Sequence, residues 1–271
     1  MVIIIKFQPI IKWTGSKRSQ SEQIVSYFPK EIDTYYEPFV GGGSVLRQLL
    51  ESNIKVKKYI CSDICRPLID LWNEIKINPY QLYNYYLNEW TKFQGNVDYY
   101  YIVRERFNQN KNPYDFLFIL RTCVNGVVRF NSKGNFNSAC HNNRPGIHPN
   151  RLKTILYEWS QKLNGNNVQF VCQDYKTIQS QYNDVLYLDP PYANTTGLYY
   201  GCLNYEEFWN WLRNQKGFYV LSFDGISGND NRTYNVPKDV YSKHIYLDSG
   251  VSSFKKLNQI HEYVKESLYI K

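Results

Sequence analysis

No apolar run in this 271-residue sequence approaches the ~20 residues that a membrane-spanning helix needs. The apolar opening, MVIIIKFQPII, is interrupted by Lys6 and Gln8 and has no cleavable-signal layout. Membrane anchoring and secretion are therefore not expected, and a cytoplasmic location is. Paired C-x-x-C spacing is also missing. The six cysteines, at 61, 65, 123, 140, 172 and 202, are too sparse for a small secreted scaffold and read as reduced thiols. Cys140-His141 followed by His148 matches no standard zinc spacing, so no metal is expected. Repeats and low-complexity tracts are absent too, so domain boundaries must come from changes in pattern. From Leu117 to Pro149 there is no acidic residue, although Arg121, Arg129, Lys133 and Arg144 lie within it.

The charge that is present is positive: 32 Lys and Arg against 24 Asp and Glu give a formal +8. That balance suits an anionic partner such as nucleic acid. Twenty-six tyrosines, 14 phenylalanines and 6 tryptophans supply both core and flat faces on which bases stack.

Four short apolar segments each end in an acid: TYYEPF at Glu37, KYICSD at Asp63, VQFVCQD at Asp174 and VLYLD at Asp189. A fifth, FYVLSFDG, is expected to end at Asp224. Helical stretches such as SVLRQLLES and YEEFWNWLRNQ fall between them, the latter with Tyr205, Phe208, Trp209 and Leu212 on one face. Alternating strands and helices predict an α/β fold with a mostly parallel, doubly wound sheet. Residues 81–149 break the rhythm with aromatic-rich helices followed by a basic segment. Alternation around Ser132-Lys133-Gly134 predicts a β-hairpin there, and Asn125-Gly126 marks an earlier turn. The expected division is a catalytic domain of 1–80 and 150–271, with 81–149 inserted as a target-recognition domain. A solvated Asn-rich loop is the plainer alternative for the basic stretch.

LYLDPPY carries the sharpest chemistry. Neither Pro190 nor Pro191 donates to a ladder, so the strand stops at Asp189, and strand carboxyl ends are where α/β sheets bind ligands. A simple Asp-Pro turn is the alternative. In EPFVGGGSVL, Gly41, Gly42 and Gly43 let the chain turn sharply and a ligand come close. The pattern is neither the dinucleotide fingerprint nor a P-loop. Asp63 follows by about twenty residues, where a carboxylate accepts ribose hydroxyls, and a nucleoside without a phosphate-binding lysine points to S-adenosylmethionine. A structural glycine turn stays open beside that reading.

In order, KWTGSK, EPFVGGG, SDI, RTCVNGVVRFNSKGNFN, CQDY and DPPY resemble the Dam-like DNA adenine N6-methyltransferases from Lys12 to the closing KESLYI. The resemblance implies a Rossmann-like, S-adenosylmethionine-dependent methyltransferase sheet and methyl transfer to the N6 amine of a flipped adenine in double-stranded DNA. GATC is the first guess for the site. It implies that Asp189, Pro190, Pro191 and Tyr192 hold and stack the base. Trp13, Lys17, Glu37, Phe39, Gly41, Gly43, Asp63, Asp174 and Tyr175, with Asp189, would surround the cofactor. Lys12 and Arg129 match base-reading positions, and Asn125, Asn131, Lys133 and Arg144 complete the DNA-facing set. A monomer, with a restriction endonuclease as companion, is the expected setting. Val124 and Ser138-Ala139 depart from the family pattern, so part of the sequence readout is expected to differ. Cytosine N4 methylation and a catalytically silent DNA-binding regulator are the competing readings. Cytosine C5 chemistry is disfavoured because no cysteine follows a proline.

Overall fold

The computed structural model describes residues 7–141, 144–192, 203–227, 230–251 and 263–271, so Cys202 lies outside the described residues. A short helix α1 (Ser21–Ser26) leads into β1 (Glu31–Glu37), α2 (Ser44–Leu50), β2 (Lys55–Asp63) and α3 (Arg66–Ile77). Three helices follow: α4 (Pro79–Phe93), α5 (Val97–Asn110) and α6 (Pro113–Thr122). After the basic segment come α7 (Pro149–Gly165), β3 (Val168–Cys172), β4 (Val185–Leu188), α8 (Tyr205–Arg213), β5 (Phe218–Ser227), β6 (Asp230–Asn231), β7 (Lys243–Val251) and β8 (Tyr263–Ile270).

Asparagine caps start three of these helices. Asn96, Asn112 and Asn204 each accept backbone N–H groups of the first turn with their side chains, satisfying donors a helix start leaves unpaired. The sheet order is β3-β2-β1-β4-β5-β8-β7, with β6 on the edge of β5. The first five strands are parallel, while β8 runs antiparallel to both β5 and β7. This is the expected Rossmann-like sheet. Central β4 is buried at every position, as a strand covered on both faces must be. Strand order reverses direction between β1 and β4, and parallel strands bring their carboxyl ends, hence Glu37 and Asp189, to one edge at that switch point.

Three sequence expectations change, the first being that β3 stops at Cys172, before Asp174. β5 does not stop at Asp224: it bulges between Phe223 and Ile226 and continues to Ser227, because β8 supplies a partner beyond the acid. On α8 the buried set is Phe208, Trp209, Trp211 and Leu212, since Trp211 donates to the Ile178 carbonyl at 3.0 Å while Tyr205 is only half-buried.

The helices of 81–149 share a core with the sheet. Leu82, Tyr86, Phe93, Tyr100, Phe107 and Phe116 belong to the same buried cluster as Ile32, Trp72 and Trp159. A charged knot ties them together. Arg106 donates to Glu89 at 2.7 Å and to fully buried Asp115 at 2.9 Å, joining α5 to α4 and α6. Beyond α6 the chain forms the hairpin. Phe130 pairs with Phe136, Asn137 N donates to the Arg129 carbonyl at 3.0 Å, and Gly134 takes φ +73° at the tip.

Candidate active site

The carboxyl ends of β1, β2 and β4 face a cleft enclosing about 1000 Å³ of empty space, solvent mouth included. Trp13, Lys17, Glu37, Phe39, Gly41, Gly43, Asp63, Asp174, Tyr175, Asp189 and Pro191 all line it, so residues far apart in the chain converge. Pro190 is buried beneath it and Tyr192 flanks Lys17.

The glycine turn is shaped by two tryptophans. Gly43 has φ +63°, and a Cβ there would lie 2.9 Å from Trp72 Cζ2. At Gly41, φ +45°, a Cβ would meet Trp13 Cδ1 at 2.8 Å. Trp72 Nε1 donates to the Gly41 carbonyl at 3.0 Å, which fixes the turn from below. Asp63 is held from the turn and from its own strand end: Cys65 N donates to Oδ1 at 3.0 Å and Gly41 N to Oδ2 at 3.4 Å. Burial pushes the Asp63 carboxyl up to about 6 despite those donors.

Lys17, only 3% exposed, places Nζ 2.9 Å from Asp189 Oδ1 and donates to the Gly15 carbonyl at 3.0 Å. Burial raises Asp189 to about 6, with Lys17 opposing the shift and Glu266 adding to it. Glu37 is buried and accepts from Tyr35 Oη at 2.8 Å. Desolvation, reinforced by the charge of Asp189, raises it to about 8. Four carboxyl groups, Glu37, Asp63, Asp174 and Asp189, line the cleft against the one ammonium of Lys17, an acid-rich pocket in a basic protein. Tyr175 packs edge to face on Phe208 at 5.3 Å and against Phe39 at 5.6 Å, closing the wall beside Asp174.

Sequence reasoning missed Glu266. Its Oε2 accepts from Tyr192 Oη at 3.1 Å and lies 3.4 Å from Lys17 Nζ. A single acid in an alternating terminal strand gives no local signal, because only the sheet order brings β8 beside β5. Tyr187, which shares a 2.9 Å hydrogen bond with Ser222 beneath Asp189, was equally silent.

The residues expected to meet DNA are not among those lining the cleft. Lys12, Asn125, Arg129, Asn131, Lys133 and Arg144 are all exposed. Lys12 packs on the loop at Gly126, where a Cβ would lie 2.8 Å from its Cβ. Burial of its stem and the charges of Arg121 and Arg144 lower its proton affinity. Arg121 itself is buried and donates to the Ile10 carbonyl at 3.1 Å, so of the four basic residues counted in this segment it ties the insertion to the N-terminal loop. Asn131 Oδ1 accepts from the N–H groups of Lys133 and Asn135, both at 3.0 Å, and so organises the hairpin tip. The departing Ser138 is buried and donates to the Val127 carbonyl at 2.6 Å, locking the ribbon. Among the described residues, no group of three or more His, Cys, Asp or Glu side chains is arranged to hold a metal ion. No helix among them is long and apolar enough to cross a membrane.

Residues 13–260 match the family model for D12 class N6 adenine-specific DNA methyltransferases. The chain is 34% identical over 210 residues to the Type II methyltransferase M.MjaIII of Methanocaldococcus jannaschii, covering 69% of this chain and 70% of that protein. It is 32% identical over 194 residues to a DNA adenine methylase of Serratia marcescens, covering 69% and 68%. The DNA adenine methylase of Escherichia coli K12 is 30% identical over 194 residues, covering 69% and 66%.

Proposed function

Because the chain belongs to the D12 class of N6 adenine-specific DNA methyltransferases, we propose that it draws the methyl group from S-adenosylmethionine and delivers it to a flipped adenine of double-stranded DNA at Asp189. The observation that carries this is the Asp189 carboxylate at the switch point, followed by two rigid prolines and paired with Lys17 at 2.9 Å.

The cleft fits the cofactor chemically. Its carboxyls at 37, 63 and 189 suit a ligand with a sulfonium and an ammonium, and Asp63, anchored by two backbone N–H groups, has lone pairs left for ribose hydroxyls. When bound, S-adenosylmethionine supplies an electrophilic methyl group. Glu37 and Asp189 would face its cationic end, Asp63 its ribose, and Asp174 with Tyr175 its base.

The chain's own residues then solve the amine problem. Adenine N6 is a poor nucleophile while its lone pair is delocalised into the ring. Asp189 accepts one N–H and the Pro190 carbonyl the other, which favours a pyramidal nitrogen with its lone pair available. Proline at 190 and 191 fixes the direction of that carbonyl, and Tyr192 offers a face for stacking. Flipping the base out of the duplex costs a few kcal/mol.

The segment 81–149 serves as the target-recognition insertion on the catalytic part formed by 1–80 and 150–271. Its exposed Lys12-facing loop and hairpin carry the DNA contacts, with GATC as the first site to assay. The described residues of one chain supply every group this scheme uses, so a monomer suffices, which sedimentation tests. A companion endonuclease would be recognised by failure to cut DNA this protein has methylated.

The decisive experiment is Asp189→Ala. Methylation falls by about a hundredfold or more, the loss of a transition-state acceptor, while DNA binding is kept. Near-normal turnover in that variant sinks the scheme.

A further inference from the structure

Glu266 sits in β8, in the closing KESLYI to which no site role was given, yet its carboxylate reaches the reaction site. Lys17 Nζ lies 3.4 Å from Glu266 Oε2 and 2.9 Å from Asp189 Oδ1. The same Oε2 accepts from Tyr192 Oη at 3.1 Å, and the Lys17 ammonium stands 4.9 Å from the centre of the Tyr192 ring. Glu266 thus touches the partner of the first residue of Asp-Pro-Pro-Tyr and the hydroxyl of the last.

The fold goes out of its way to put it there. β5 and β8 pair Phe223 with Ser267 and then Ile226 with Lys265, so Asp224 and Gly225 together oppose the single residue Glu266. Such a bulge re-aims a side chain, and bulges recur beside active sites. At Gly225 an added Cβ would lie 2.8 Å from Glu266 Cα, so β8 passes against bare backbone. The Asp-Gly of FYVLSFDG, which reads in sequence as a strand end, is the device that admits Glu266.

We propose that Glu266 is a positioning residue for methyl transfer: it shares the Lys17 ammonium and holds the Tyr192 hydroxyl, leaving Asp189 lone pairs for the target amine. The inference rests on Asp189 being the amine acceptor. Without Glu266, Asp189 loses the carboxylate that shares Lys17 with it, and the incoming amine competes more directly with the ammonium ion for its lone pairs. The Tyr192 hydroxyl also loses its bond to Glu266 and keeps the one to Asp189, so it draws further on the same lone pairs.

The electrostatic consequence has a sign. Asp189 faces Lys17 from the N-terminal loop, Glu266 from β8, Tyr192 beyond the prolines, Tyr187 in β4 and Glu37 at the end of β1. The negative charge of Glu266 makes Asp189 harder to ionise. Replacing it by a neutral group therefore moves the acid limb of the rate profile to lower pH while the plateau rate falls. A purely structural residue would not shift the limb.

The test uses the full chain with S-adenosylmethionine and a duplex that the wild type methylates, measured in single turnover across pH. Glu266→Gln lowers the plateau by about ten- to a hundredfold, the scale of a hydrogen bond to a charged group, and moves the acid limb down. Glu266→Asp keeps the charge but withdraws it by one methylene, so the limb stays while the plateau drops. A wild-type plateau and limb in Glu266→Gln overturn the proposal. If that variant does not fold, a wild-type plateau in Glu266→Asp overturns it equally. Activity surviving in Asp189→Ala removes the acceptor reading itself, whereas a dead Asp189→Ala beside an unaffected Glu266→Gln removes only the role of Glu266.

Discussion

Thr14 and Val128, 114 positions apart, bond to each other in both directions: Val128 N donates to Thr14 Oγ1 at 2.9 Å, and the hydroxyl returns to the Val128 carbonyl at 3.3 Å. Thr14 lines the cleft, and Val128 precedes Arg129 at the entrance to the hairpin. The loop that carries Lys17 and the hairpin segment that carries the base-reading candidate are therefore tied together. Thr14→Val, nearly isosteric, leaves the Val128 N–H without its acceptor. It should cost about 1–3 kcal/mol, a fall in Tm of roughly 2–4 °C per kcal/mol for a chain of this size. An unchanged melting curve would show that the pair contributes nothing.

Gly43 tests the glycine turn. Its φ of +63° is costly for any residue with a Cβ, and that Cβ would press on Trp72 at 2.9 Å. Gly43→Ala should destabilise by about 1–3 kcal/mol through strain and overpacking, and weaken cofactor binding by deforming the turn. Urea unfolding together with a cofactor titration reads both. Wild-type behaviour in each would mean that the turn is merely tolerant.

Buried acids give stability and activity opposite pH trends. Glu37 goes from 4.5 in its ordinary state to about 8 when folded. Between those values the unfolded chain has released a proton that the folded chain retains, so stability falls as pH rises. Glu37→Gln should remove that slope, and its Tm advantage over the wild type should widen from about pH 5 to about pH 8. Asp189, raised to about 6, must be ionised to accept the amine. The methylation rate should therefore fall as pH drops through about 6. A parallel Tm profile in Glu37→Gln, or a rate that stays flat below that pH, contradicts these assignments.

Recognition should divide between two hairpin residues. Arg129 flanks the Phe130–Phe136 pair, where the hydrogen-bonded ladder fixes its backbone, whereas Lys133 is at the tip. Arg129→Ala should relax preference at one base pair by roughly 1–3 kcal/mol, the worth of a bidentate guanine contact. Lys133→Ala should weaken all sequences alike and reduce the salt slope by about one unit. Methylation rates on the cognate site and its single-base variants decide. Unchanged discrimination in Arg129→Ala would place base reading elsewhere.

The chain announces its strand ends and its cleft clearly. Apolar runs closed by Glu37, Asp63 and Asp189 mark where parallel strands stop, the glycines mark the turn, and prolines after Asp189 forbid continuation. These are backbone constraints written in consecutive residues, so they survive reading one segment at a time. The hairpin at 130–136 was legible for the same reason. What the sequence could not express is adjacency between distant segments. Whether FYVLSFDG ends or bulges depends on β8 lying alongside, and the fate of Arg121 depends on the Ile10 carbonyl it meets in the core. Glu266 is the clearest case: the closing KESLYI marks the end of the family resemblance but assigns the acid no role, and its place beside Lys17 and Tyr192 exists only because the last strand inserts antiparallel next to β5. Local sequence sets φ, ψ and periodicity, but pairing across the sheet is a long-range choice made by burial, and that choice completed the site.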